Sequence, residues 1–270
     1  MVFTKMQCCG NDYIYVDERI CPVPFPEKEA VFLCDRHKGI GADGLVLICE
    51  SKSDDYRMRI FDPDGTEAEF CGNALRSSAY LVYLSLKRKK NALSVETAGG
   101  QKRVYFPAFC EGKGILCDVG KPEVGFVEKA VSLDGMEVKM TSLSFGNPHC
   151  VIFSEPLSDE AFARLGALAE VHPLFPKRTN VEFVTVESES RLRLRTWERG
   201  CGETLSCASG SAAACAAAVL TGRTQRKVKV GQGSGDLLIE WKEGGSVFVT
   251  GDTEIVFTGE TERKIEHEVG

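Results

Sequence analysis

Two cysteines stand at equivalent places in two segments that repeat each other, and their surroundings suit proton transfer. The first segment runs Phe61-Asp62-Pro63-Asp64-Gly65-Thr66-Glu67-Ala68-Glu69-Phe70-Cys71-Gly72-Asn73. The second runs Trp197-Glu198-Arg199-Gly200-Cys201-Gly202-Glu203-Thr204-Leu205-Ser206-Cys207-Ala208-Ser209. Cys207 follows Cys71 by 136 residues (207 − 71), and the same shift pairs Arg195 with Arg59, Glu198 with Asp62, Glu203 with Glu67, and Gly146-Asn147 with Gly10-Asn11. A chain of 270 residues that repeats at about half its length reads as two copies of one domain. Two matched thiols on opposite walls of a cleft suit the removal of a proton from one face of a carbon and its return on the other, which is racemisation or epimerisation.

Each cysteine precedes a run of small and apolar residues that reads as a helix. Unpaired N–H groups and the positive dipole end at a helix start lower a thiol's pKa and form an anion site. The amides of Gly72-Asn73 and Ala208-Ser209 are therefore candidates for gripping a carboxylate while Cys71 and Cys207 reach its α-carbon. Without a cofactor, enolate-like charge must be met by such preorganised donors. Asp62 and Glu198, nine residues before each cysteine, could bind an ammonium or tune the thiols; a solvated turn is the plain alternative for Asp62. Asn11 and Asn147 each follow a glycine at a strand turn. His149 could polarise a thiol, or simply pack.

The elements that must position these groups alternate short strands with one helix per quarter of the chain. Val2 to Gln7 and Tyr13 to Val16 read as strands turning at Gly10-Asn11. Pro26, Glu27 and Glu29 open a helix through Arg36. Leu45 to Cys49 and Tyr56 to Phe61 are strands, and Gly72 to Leu86 is a helix enclosed by sheet. The second half repeats the order, with helices over Asp159 to Glu170 and Ala208 to Leu220. Lys87-Arg88-Lys89-Lys90 falls where cations complement a helix C-terminus. The predicted fold is α+β: two pseudo-symmetric domains, each a barrel-like sheet around a central helix, with the active site in the cleft. The domains are 1–119 and 120–270, divided near Gly120-Lys121-Pro122, with the last strand able to return to the first domain.

Composition narrows the function classes. A net charge of −6 argues against a nucleic-acid partner. No apolar run is long enough for a membrane helix, and no leader pattern opens the chain, so a cytoplasmic location is expected. The 12 cysteines lack Cys-x-x-Cys spacing and the four histidines lack ligand spacing, so neither a metal site nor a disulfide framework is expected. Gly39-Ile40-Gly41-Ala42-Asp43-Gly44 matches a dinucleotide fingerprint letter for letter. A helix precedes it and a strand follows, the reverse of what that motif needs, and Gly231 to Gly235 likewise reads as a hairpin turn.

Taken together, these residues resemble the diaminopimelate epimerase family over nearly the whole chain. The colinear matches are Gly10-Asn11-Asp12-Tyr13, Arg36-His37 with Gly39 to Gly44, Asp64-Gly65-Thr66-Glu67 leading to Cys71-Gly72-Asn73, Gly146-Asn147-Pro148-His149, Thr179-Asn180-Val181-Glu182-Phe183, Glu198-Arg199-Gly200, Gly202-Glu203-Thr204 and Cys207. The resemblance implies a cofactor-independent, two-thiol interconversion of LL- and meso-diaminopimelate, serving lysine and peptidoglycan synthesis, by a homodimer. It implies Cys71 and Cys207 as acid and base. His149 and Glu198 would modulate the thiols. Asn11, Asn147, Asn180, Glu198 and Arg199 would hold the substrate's two ends, and the amides of Gly72, Asn73, Ala208 and Ser209 the reacting carboxylate.

Three positions depart from that pattern: Asp62 stands where asparagine is usual, and Ala74 and Ala208 where glycine is usual. Asp for Asn changes both charge and donor capacity, so looser or different recognition of the substrate's far end is expected. The competing readings are an amino acid racemase of other specificity, such as a proline racemase relative, and a non-catalytic thiol or metal-binding protein.

Overall fold

The computed structural model describes residues 1–108, 110–233 and 235–262. They form two compact units, one of residues 1–115 with the chain from Asp252 onward, the other of Leu116–Gly251.

The first unit contains β1 (Val2–Cys8), β2 (Asn11–Asp17), α1 (Pro26–Cys34), β3 (Gly44–Cys49), β4 (Tyr56–Phe61), β5 (Glu67–Ala68), α2 (Gly72–Ser85), β6 (Ala92–Thr97) and β7 (Gly100–Tyr105). β1 is antiparallel to β2, which runs parallel to β3; β3 is antiparallel to β4. β4 pairs antiparallel with β5 and parallel with β6, which turns into β7.

The second unit is entered along β8 (Ile115–Gly120) and continues through β9 (Glu123–Leu133), β10 (Met136–Ser144), β11 (Pro148–Phe153), α3 (Asp159–Glu170), β12 (Asn180–Ser188), β13 (Arg191–Glu198), β14 (Gly202–Thr204), α4 (Ala208–Leu220), β15 (Lys227–Gln232), β16 (Gly235–Trp241) and β17 (Val247–Gly251). From β10 to β16 the pairings repeat those of β1 to β7, parallel and antiparallel alike. β9 lies against β10, and β16 against β17, which also pairs with β8. A final strand, β18 (Glu254–Glu260), returns to the first unit and lies antiparallel to β1.

The 136-residue shift holds in strand register. Tyr13 opposite Gly44 becomes His149 opposite Asn180, Leu45 opposite Phe61 becomes Val181 opposite Trp197, and Phe61 opposite Glu67 becomes Trp197 opposite Glu203. The shared register brings equivalent residues to equivalent places at each cysteine turn.

Local sequence explains the elements. β3 is apolar throughout and buried at all six positions, as expected of a strand covered on both faces. α1 and α3 close one core in each unit, packing Leu33 with Ile14, Leu45 and Phe61, and Phe162 with Ile152, Val181 and Phe183. α2 and α4 lie inside their sheets, α2 against β1–β4, β6 and β7, and α4 against β10–β13 and β15–β17. In α4 small side chains let strands approach the helix from many directions, and every residue from Ala212 to Ala218 is fully buried. Ser158 caps α3 by accepting from the Ala161 amide at 3.2 Å. Lys89 Nζ closes α2 by donating to the carbonyls of Tyr83 and Leu84 at 2.7 and 2.9 Å.

α1 stops at Cys34, two residues short of the Arg36 end that its sequence predicts. The Asp35 carboxylate accepts from the amides of His37 and Lys38 at 2.7 and 2.9 Å, an Asx-type turn that ends the helix. Gly39 to Gly44 then carries the chain from α1 to β3, as the dinucleotide-fingerprint argument expects of a simple turn. Ser234, in the Gly231 to Gly235 turn, lies outside the described residues.

Candidate active site

Both cysteines occupy the residue just before a helix, in extended backbone conformation: Cys71 at φ −140° and ψ 121°, Cys207 at φ −127° and ψ 111°. The first intrahelical bonds run from the Leu75 amide to the Cys71 carbonyl and from the Ser211 amide to the Cys207 carbonyl, each 2.9 Å. The amides of Gly72, Asn73, Ala208 and Ser209 therefore precede the helical ladder and lack helical acceptors.

In the first unit, half-buried Cys71 receives the Tyr13 hydroxyl at 3.3 Å and lies 3.8 Å from Asn11 Oδ1. Asn73 Nδ2 donates to the same Asn11 oxygen at 3.2 Å. Asn73 Oδ1 accepts in turn from Arg76, which is fully buried. Asn11 is held from behind: its Nδ2 donates to Asp43 at 2.8 Å, and Asp43 accepts from Arg36 at 2.9 Å. Arg36 and Lys5 also bind Asp12 at 2.7 and 2.5 Å. Burial would raise the Asp12 carboxyl, but the hydrogen bonds from Arg36 and Lys5 outweigh it and hold it below the usual range. Gly44 is required beside Tyr13, because a β-carbon there would lie 2.8 Å from the ring. Asp62 sits at the turn after β4, its amide donating to the Thr66 carbonyl at 2.8 Å.

In the second unit Cys207 is buried. Its sulfur accepts from the Gly210 amide at 3.3 Å and lies 3.5 Å from Ser209 Oγ, while its own amide donates to Gln232 Oε1 at 2.7 Å. Asn147 Nδ2 donates to Ser209 Oγ at 3.2 Å. His149, fully buried, touches Asn147 Oδ1 with Nε2 at 3.1 Å and Glu182 Oε1 with Nδ1 at 2.7 Å. Asn180 donates to the Pro148 carbonyl at 2.9 Å and accepts from the Arg199 amide at 3.0 Å. Glu198 accepts from the Thr204 hydroxyl at 2.6 Å.

A helix start lowers a thiol's pKa, but at Cys207 the balance of surroundings runs the other way. Burial pushes this thiol well up, and the nearby carboxylates of Glu198 and Glu182 add to the effect; the bonds from Ser209 and Gly210 oppose it without prevailing.

The first unit thus groups Asn11, Cys71, Gly72 and Asn73, with Asp62 on the neighbouring turn. The second groups Asn147, His149, Asn180, Glu198, Arg199, Cys207, Ala208 and Ser209. Sequence reasoning missed Tyr13, Asp43, Gln232 and Glu182 as members of these groups. The shift that pairs Tyr13 with His149 could have found the first, and a charged residue amid Val181, Phe183 and Val184 could have found Glu182. Among the described residues, no group of three or more His, Cys, Asp or Glu could hold a metal ion. None of their helices is long and apolar enough to cross a membrane.

The two-repeat α+β fold is shared with solved structures. A hydroxyproline epimerase from Agrobacterium vitis superposes with a TM-score of 0.73 at 15% identity, over 96% of this chain and 91% of that one. A phenazine biosynthesis protein of the PhzF family from Bacillus anthracis does so at 0.73 and 16%, over 97% and 98%. At such identities the likeness is one of fold.

Sequence comparison is more specific, and the chain belongs to the diaminopimelate epimerase family, whose profile matches residues 3–123 and 141–256. A diaminopimelate epimerase of Pelotomaculum thermopropionicum is 44% identical, over 96% of this chain and 98% of its own length. One from Acetivibrio thermocellus is 43% identical, over 97% and 99%.

Proposed function

We propose that this protein epimerises LL-diaminopimelate to meso-diaminopimelate without a cofactor, with Cys71 and Cys207 acting on opposite faces of one α-carbon. The observation that carries this reading is the duplicated helix-start cysteine, each with an asparagine near it and the first amides of a helix behind it, in a chain of this family. One sulfur, as thiolate, takes the α-proton and becomes a thiol. The other, as thiol, gives its proton to the opposite face and becomes a thiolate, and the reverse reaction exchanges the roles. Burial favours the protonated form of Cys207, the state required of the donor. The amides of Gly72, Asn73, Ala208 and Ser209 would bind the reacting carboxylate and stabilise the charge that builds on it as the proton leaves. Asn11, Asn147, Asn180, Glu198 and Arg199 would hold the rest of the substrate. Asp62 in place of asparagine would loosen recognition at the far end.

The test is α-proton exchange in D₂O, followed by NMR on the reduced protein with diaminopimelate, glutamate, lysine and proline supplied separately. Exchange on diaminopimelate, abolished in both Cys71→Ala and Cys207→Ala, is the expected result. Additional exchange on another amino acid would support the looser far-end recognition, and strict preference for diaminopimelate would remove it. Folded protein with intact thiols and no exchange on any of the four would overturn the epimerase reading. The reading includes a cytoplasmic homodimer; a monomer mass in light scattering would remove the dimer.

A further inference from the structure

Beneath the second cysteine turn lies a buried polar chain ending in an acidic residue that has no counterpart at the equivalent position of the first repeat. Glu182 is fully buried on β12 between Val181 and Phe183. Its Oε1 lies 2.7 Å from His149 Nδ1, and its Oε2 has no hydrogen-bond partner among the described residues. From His149 the chain passes to Asn147 at 3.1 Å, to Ser209 Oγ at 3.2 Å, and to Cys207 Sγ at 3.5 Å. Under the 136-residue shift, Val46 takes the place of Glu182 and Tyr13 that of His149, so the first repeat has no acidic counterpart there.

The donor inventory gives this chain a direction. With Asn147 Nδ2 donating to Ser209, its Oδ1 faces His149 and requires a hydrogen on Nε2. Nδ1 and Glu182 Oε1, 2.7 Å apart, are then joined through one hydrogen. The ring is held in one orientation because both of its nitrogens are engaged. Gly210 belongs to the same construction: a β-carbon there would lie 2.8 Å from Glu182 Oε1 and 3.2 Å from Cys207 Sγ.

We propose that Glu182 is a positioning residue for the second thiol. Through His149 it fixes Asn147 and Ser209, and with them the turn that holds Cys207 Sγ. Glutamine at 182 can donate an amide hydrogen to Nδ1 and leave Nε2–H in place, whereas valine, the residue of the first repeat, can do neither. In its activity arm this inference rests on the epimerase reading above; its spectroscopic arm does not.

The experiment compares wild type, Glu182→Gln and Glu182→Val by steady-state kinetics with diaminopimelate and by ¹⁵N NMR of the His149 ring. In the glutamine variant kcat should stay within about threefold of wild type; in the valine variant it should fall about 30-fold, with KM within about threefold. The His149 Nε2 should carry hydrogen in wild type and the glutamine variant, and the Nδ1 resonance should shift and broaden in the valine variant, where that nitrogen has lost its partner. Wild-type kcat in Glu182→Val would overturn the proposal. A loss in Glu182→Gln as large as in Glu182→Val would overturn it as well, since charge rather than position would then matter. Should the valine variant fail to fold, the wild-type spectrum decides: an unprotonated Nε2 sinks the proposal, and a protonated one with near-normal Glu182→Gln activity supports it. A wild type inactive on diaminopimelate would remove the epimerase reading while leaving the ring spectrum as a test of His149 orientation.

Discussion

Gly210 and Ala74 are equivalent under the repeat, yet one site excludes a methyl group and the other contains one. Behind Gly210 stands Glu182, and a β-carbon would crowd its carboxylate and the Cys207 sulfur. Behind Ala74 the equivalent strand position is Val46, and Ala74 is fully buried. In an open helix, Gly→Ala stabilises by about 1 kcal/mol. At position 210 the crowding should reverse the sign, for a net loss of about 1–2 kcal/mol, because the contacted groups are buried and have nowhere to move. Gly210→Ala should therefore lower both the urea midpoint and kcat. A variant more stable than its parent would refute this account of the second turn. Ala74→Gly should also lose stability, by about 1 kcal/mol, from propensity alone.

At the scale of elements, β18 has an effect out of proportion to its length. It pairs with β1 from Val2 opposite Glu260 to Gln7 opposite Glu254. Just before it, Thr253 is buried, its amide donating to the Gly112 carbonyl at 2.6 Å and its hydroxyl bonded to Ser77 of α2. Ending the chain after Gly251 strips β1 of a neighbour and α2 of a buried polar contact. The first unit should then lose protection against amide exchange while Leu116–Gly251 stays protected. Equal protection in the two units would contradict this. The helices were legible from local chemistry, since proline and acids open α1 and small residues mark α2 and α4. The end of α1 was misread by two residues because the Asp35 carboxylate competes for the amides that would have continued the helix.

Across the whole molecule the thiols make stability depend on alkaline pH. Burial pushes Cys34 and Cys215 up to about 12; at Cys49 burial, joined by a bond to Glu18, has the same result. Cys150 and Cys207 are raised well above the usual value, again chiefly by burial. A thiol whose folded pKa is raised keeps its proton longer folded than unfolded. Its contribution is complete below the unfolded value of about 8.5 and is lost as pH rises toward the folded one, by about 1.4 kcal/mol per pH unit for each thiol. Unfolding free energy should fall steeply between pH 8.5 and 10.5, and replacing Cys215 by Ala should make that fall shallower. A flat profile over this range would contradict the burial argument. The amino-acid sequence by itself determined the duplication, the order of elements, and the two cysteines with their asparagines, because a fixed shift and helix-start chemistry are local and periodic. Only the tertiary structure decided that burial raises the Cys207 thiol, that Tyr13 donates to Cys71, and that Glu182 and Gln232 belong to the second turn. Those outcomes depend on burial and on contacts between strands far apart in the chain, and neither spacing nor residue type carries that information.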